Sequence, residues 1–149
     1  LGFTLSALLN GCGFQPVLKE NTAESSYCVT VKSSSASPLV CHMFKMALIR
    51  DIKNFSIPLH SRIHIELKED KSDLCFASDA SVQRRQIRLI AFISMTIGDQ
   101  TYQKHTDVIS SFSQTSDQPF ANFSQEEGTY RVLLQSLAHR CVVLIVSHG

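Results

Sequence analysis

The stretch from Val82 to Ile97 limits most how this chain can fold. Its odd positions Ile87, Leu89, Ala91, Ile93, Met95 and Ile97 are apolar without a break, while Gln86, Arg88, Ser94 and Thr96 occupy the even side. Successive side chains of a strand point to opposite faces, so this alternation predicts one long strand with one face against a core. A helical period fits the same residues less well. Gly98-Asp99 follows, a tight hairpin turn in which glycine takes the positive φ that other residues resist. Gln100 to Ser113 then returns as the antiparallel neighbour, and the rest of the chain must cover the apolar face of this hairpin.

Two helical patterns supply the cover. Ser37-Pro38 is a start signal, with a hydroxyl that accepts from an early amide and a proline whose missing N–H is not needed at the first helical position. The predicted helix runs from Pro38 to about Phe55, with Val40, Cys41, Phe44, Ala47, Leu48, Ile52 and Phe55 recurring at three and four. Ser56-Ile57-Pro58 breaks it. The second helix is predicted from a capping box at Ser124-Gln125-Glu126-Glu127, after a polar segment from Gln114 to Asn122, and continues to about Val146. Its apolar face is Tyr130, Leu133, Leu134, Leu137, Ala138, Cys141, Leu144 and Ile145.

Tyr27 to Lys32 has the β-branched and aromatic content of a strand and is closed by the serine-rich turn Ser33 to Ser37. Arg62 to Lys68 alternates as a further strand with Ile63, Ile65 and Leu67 inward. Glu69 to Ser81, charged and then mixed, reads as a loop. The order β-α-β-β-β-α implies an α+β two-layer sandwich: a four-stranded, mostly antiparallel sheet with both helices on one face and the other face left available.

A chain of 149 residues accommodates one domain of ordinary size, assigned here to residues 27–149. A formal charge of +1 with 18% charged residues lacks the basic excess of a nucleic-acid binder. Ahead of the domain, Leu5-Ser6-Ala7-Leu8-Leu9-Asn10-Gly11-Cys12 reads as the end of a lipoprotein signal. An apolar run sits in the bilayer, Gly11 leaves room for the peptidase, and the Cys12 thiol carries a diacylglyceryl group and, after cleavage, an N-acyl chain. Each buried methylene adds about 0.8 kcal/mol, so two or three chains hold firmly where one is marginal. Residues 1–11 are then the signal peptide, its missing basic n-region marking a truncated start, and residues 12–26 a lipidated N-terminus and polar tether. Gly13 follows the cysteine where an Asp would signal retention at the inner membrane, so the outer membrane is the expected address.

Three blocks make the chain similar to a known family, the outer-membrane lipopolysaccharide-assembly lipoproteins (LptE, formerly RlpB). The first is Leu9-Asn10-Gly11-Cys12-Gly13-Phe14-Gln15-Pro16. The second is the hairpin, with Arg84 and Arg85 before the alternating strand, the turn at Gly98-Asp99, and the returning Ile109-Ser110-Ser111-Phe112-Ser113. The third is Pro119-Phe120-Ala121, then Glu126-Glu127 and a helix carrying Arg131 and Leu137-Ala138-His139-Arg140. What the resemblance implies is a role without catalysis. Members sit inside the lumen of the lipopolysaccharide-translocating β-barrel (LptD-like), help it assemble, and contact lipopolysaccharide on its way to the cell surface. The chain is then held at the periplasmic face of the outer membrane by its lipid, with no other cofactor.

Arg84, Arg85, Arg88 and Lys104 are the candidate lipopolysaccharide contacts, since arginine's planar fork suits the phosphates of lipid A. As plain residues they equally fit a solvated strand face. His60 and His64 do not share a helix face, so no metal site is expected. No nucleophile elbow, zincin motif or phosphate loop occurs. Cys28, Cys41, Cys75 and Cys141 would lie in a compartment that permits disulfides, but Cys41 and Cys141 fall on apolar helix sides, which favours buried thiols and leaves pairing open. Asn54-Phe55-Ser56 and Asn122-Phe123-Ser124 match a glycosylation pattern that short polar sequences meet by chance. Two rival readings stand beside the barrel partner: an auxiliary lipoprotein of another envelope lipid transporter, and a small periplasmic thiol or histidine enzyme.

Overall fold

The computed structural model describes residues 28–55, 61–75, 82–115 and 117–147. Cys12, the tether, Tyr27, the breaker Ser56-Ile57-Pro58, His60 and the segment from Phe76 to Ser81 lie outside the described residues. The elements are β1 (Cys28–Ser33), α1 (Pro38–Ile52), β2 (Arg62–Cys75), β3 (Val82–Ile97), β4 (Gln100–Thr115) and α2 (Pro119–Val146). They form one four-stranded sheet in the order β1-β2-β3-β4. β1 runs parallel to β2 because α1 carries the chain back between them, and the two hairpin contacts are antiparallel.

Local chemistry accounts for most boundaries. The Ser37 side chain accepts from the Val40 amide at 3.3 Å with Pro38 at the first position, as the start signal predicts. α1 ends at Ile52, three residues before the predicted Phe55, which is exposed. Gly98 has φ +59° in the two-residue turn joining β3 to β4. From α1, Val40, Phe44, Leu48 and Ile52 are buried. They meet Ile63, Ile65 and Leu67 of β2, the odd stripe of β3, Val108 and Phe112 of β4, and the apolar face of α2 in a single core.

Three expectations need correction. First, the segment predicted as a loop from Glu69 continues β2 to Cys75, in register with β3 from Glu69 opposite Leu89 to Cys75 opposite Gln83. Alternation fails to reveal it because the positions that turn toward the helices, Glu69, Lys71 and Asp73, are charged; the ladder supplies the backbone bonds and other polar side chains supply their partners. Second, α2 starts at Pro119, so Ser124 lies inside the helix and caps nothing. Gln118 stands at the cap and makes no side-chain bond there. Instead Asn122 reaches back, its amide oxygen accepting from Thr115 N–H at 3.0 Å and its NH2 donating to Thr115 C=O at 2.6 Å. Third, β4 runs two residues beyond the predicted Ser113, to Thr115.

α2 has the length and apolarity of a helix able to cross a membrane. In this fold its stripe from Tyr130 through Leu137 to Ile145 is buried in the core. The apolar end is buried too, with Val142 at 0% and Ile145 at 1% exposure, while Leu144, predicted on the buried face, is only partly covered.

Candidate functional site

With both helices on one face of the sheet, the opposite face is open, and register assigns its residues. Reading across from β2 through β3 to β4, the open face carries His64, Ser94 and Gln103; then Glu66, Phe92 and His105; then Asp70, Arg88 and Ile109; then Leu74, Arg84 and Ser113. It is mixed in character. Phe92, Ile109 and Leu74 are exposed apolar residues, and the Phe92 ring lies 6.2 Å from the His105 ring in a tilted arrangement. Around Phe92 a shallow groove is lined by His64, Glu66, Ser94, Gln103 and His105. Ile90, on the same face, is only 9% exposed.

The four candidate cations do not converge. Arg84 and Arg88 share the open face, four residues apart and therefore separated by about 14 Å along the strand. Arg84 donates to the Ser111 hydroxyl at 3.0 Å, and Arg88 pairs with Asp107 at 2.9 Å. That pair is roughly half exposed, the regime in which an ion pair contributes little to stability. Arg85 belongs to the helix-covered face, where its guanidinium bonds Asp73 at 2.8 Å. This bond holds the Asp73 carboxyl below the usual carboxylate range and raises the Arg85 pKa in turn. Lys104 stands opposite Ile93, also on the helix side of β4, and is exposed. Of the four candidates, Arg84 and Arg88 are therefore on the open face, which also carries the exposed Arg62 and Lys68 of β2.

Sequence reasoning missed a second polar cluster, at the far end of the covered face. There the Tyr130 hydroxyl donates to Glu69, whose side chain is only 8% exposed. Lys71 lies 3.3 Å from Glu69, 3.5 Å from Glu126 and 5.2 Å from the centre of the Tyr130 ring. Burial pushes the Tyr130 phenol up to about 12, helped by its bond to Glu69 and opposed by Lys71. For Lys71 burial works against the charge, but the Tyr130 and Glu69 oxygens outweigh it and hold the ammonium above the usual lysine range. The cluster ties α2 to β2. The signal that could have revealed it is the spacing Glu69, Lys71, Asp73, a period of two written in charges.

Among the described residues the cysteines Cys28, Cys41 and Cys141 are free thiols. Cys141 is buried, and burial raises its pKa to about 12, so it stays protonated and unreactive at neutral pH. No group of three His, Cys, Asp or Glu side chains among the described residues is placed to hold a metal ion.

Comparison with known proteins defines the class of fold. No family model matches the chain, and no curated protein matches it in sequence. Solved structures do. The crystal structure of rare lipoprotein B from Shewanella oneidensis superposes with a TM-score of 0.59 at 11% identity, covering 80% of this chain and 94% of that one. A candidate lipoprotein from Caulobacter crescentus CB15 superposes at 0.50 and 10% identity, covering 79% and 88%. At such identities the likeness is one of fold: this chain has a fold similar to that of rare lipoprotein B over nearly the whole of that protein.

Proposed function

We propose that this protein is an outer-membrane lipoprotein, anchored through acyl chains on Cys12, that fills and helps assemble the LptD-like lipopolysaccharide-translocating β-barrel. On this reading it contacts lipopolysaccharide during export. The observation that carries it is the agreement of two unconnected signals: a Leu9-Asn10-Gly11-Cys12-Gly13-Phe14 start, and a fold similar to that of rare lipoprotein B across 94% of its length. The open sheet face supports it physically. The lumen of such barrels is polar, and a face of mixed charge, hydroxyl and amide groups with a few apolar side chains can meet that wall without burying unpaired charge. Arg84 and Arg88 are the candidate cations on that face for phosphate, beside Arg62 and Lys68 of β2, and the acyl chains keep the domain at the inner leaflet.

Mass spectrometry of the mature N-terminus tests the anchor. An acylated Cys12 is expected, and an unmodified peptide running through Asn10, Gly11 and Cys12 refutes it. Lipopolysaccharide binding by Arg84→Ala/Arg88→Ala tests the contact. Affinity should fall several-fold with an unchanged fold, and equal affinity retires the role of these arginines.

A further inference from the structure

The groove on the open face exists because one residue of β3 is small. Ser94 lies between His64 of β2 and Gln103 of β4 in one row of the register, and Glu66, Phe92 and His105 make the next row, about 7 Å along the strands. The serine side chain is too short to fill the space among these larger neighbours. What remains is a depression of about 490 Å³ lined by all six residues, within the range of about 300–1,000 Å³ found for small-molecule sites. Elsewhere on this face side chains take partners across the strands: Ser72 with Gln86, Arg84 with Ser111, Arg88 with Asp107 and Thr96 with Thr101. Around the groove they do not. Among the described residues, His64, Glu66, Ser94 and Gln103 make no side-chain hydrogen bond or ion pair, and His105 has only its ring contact with Phe92.

We propose that this groove binds a sugar ring. A pyranose has a face of C–H groups, which the 45% exposed Phe92 ring can cover, and a rim of hydroxyls. Each hydroxyl both donates and accepts, so it can bond the Gln103 amide, either imidazole, the Ser94 hydroxyl or the Glu66 carboxylate. Other ligand classes fit less well. A wholly apolar molecule would cover these polar groups and leave them unpaired. An anion lying in the groove would meet Glu66, the one charged side chain that register turns into it, since Lys104 stands on the helix side of β4. A cation would meet Lys32, which stands beside Glu66 across the parallel pair with β1, and Arg62 and Lys68, which flank the groove along β2.

The groove is open to solvent on its outer side, which suits a ligand whose far hydroxyls stay hydrated. It is also separate from the arginine pair: Arg88 is four residues from Phe92, about 14 Å along the strand. The inference rests on the groove alone and holds whether or not the chain fills a barrel. Ring chemistry of this kind is shared by the core of lipopolysaccharide and by other envelope glycans, and the test separates the two.

Amide NMR titration of the purified full chain, in a polyoxyethylene detergent that carries no sugar, tests it. The probes are the oligosaccharide freed of acyl chains from lipopolysaccharide, chitobiose, and inorganic phosphate. Saturating shifts centred on Phe92, Ser94 and Gln103 are expected with a sugar, at a Kd of about 1 mM or below. Phe92→Ala should weaken binding at least about fivefold, and Ser94→Leu, which fills the depression, should abolish it. Circular dichroism reports whether each variant is folded; if either is not, Gln103→Ala, which removes only an exposed amide, takes its place with an expected loss of at least about threefold. Saturation by the lipopolysaccharide fragment alone assigns the ring to that source, saturation by chitobiose alone assigns it to another glycan, and saturation by both makes the groove a general sugar site. No saturating shift with either sugar overturns the proposal, as does binding that the folded variants leave unchanged. Phosphate that moves the same amides overturns it too, by making the groove an anion site.

Discussion

Leu89 and Phe92 stand three residues apart on the same strand and lead different lives. Leu89 is fully buried under the helices, whereas Phe92 is 45% exposed on the other side of the same backbone. The difference runs the length of β3. Ile87, Leu89, Ala91, Ile93 and Met95 are all 4% exposed or less, while the open side carries Arg84, Arg88 and Phe92. One face of the sheet is therefore the fold, and the other is a surface whose residues answer to something besides packing. The covered and open faces are separated by the thickness of a strand, so mutations can address one without the other.

Several measurements sharpen or break that separation. The largest effect is expected from Leu89→Ala, which should lower unfolding free energy by about 2–5 kcal/mol in urea titration, while Phe92→Ala should cost within about 1 kcal/mol. Comparable losses would erase the distinction between faces. Alkaline pH comes next. The folded state holds the Cys141 and Tyr130 protons up to about 12, against ordinary values of 9.0 and 10.0. Between those ordinary values and about 12 the unfolded chain has released protons that the folded chain still binds. Stability is thus fully present below pH 9 and falls as pH rises toward 12, by about 4 kcal/mol from the buried thiol alone at about 1.4 kcal/mol per proton and pH unit. Cys141→Ala should flatten the slope from pH 9 upward, and an unaltered slope would show that the buried thiol is not its source. Tyr130→Phe, which strands the buried Glu69 without its hydroxyl donor, should cost about 1–3 kcal/mol. The smallest effect belongs to Arg88 and Asp107, whose coupling in a double-mutant cycle should be about 0.2–1 kcal/mol and should shrink in salt.

The sequence spoke most clearly where one physical demand ruled a stretch alone. The odd stripe of β3, the Ser37-Pro38 start and the Gly98 turn each answer to burial, capping or backbone conformation, and each is where its residues put it. It spoke less clearly where two demands overlap. Glu69, Lys71 and Asp73 face the helices yet are charged, so a rule that equates inward with apolar makes them a loop; only the fold shows Tyr130, Glu126 and Arg85 arriving from other elements. Ser124 looked like a helix start because its hydroxyl and Glu127 have the right spacing, but Pro119 and the Asn122 bonds to Thr115 begin the helix five residues earlier. The grouping of Arg84, Arg85 and Arg88 was legible, and their division between two faces follows from the strand's own period of two. Lys104 could be assigned a face only once the register of β4 was known.

The proposal that this chain is the lipid-anchored companion of an outer-membrane barrel is tested most directly by stoichiometric purification. The full chain, tagged at its C-terminus and extracted in mild detergent from the cells that make it, should carry an outer-membrane β-barrel protein in equimolar amount. Recovery of the chain without a barrel, or with an ATPase-driven transporter in its place, would contradict the account.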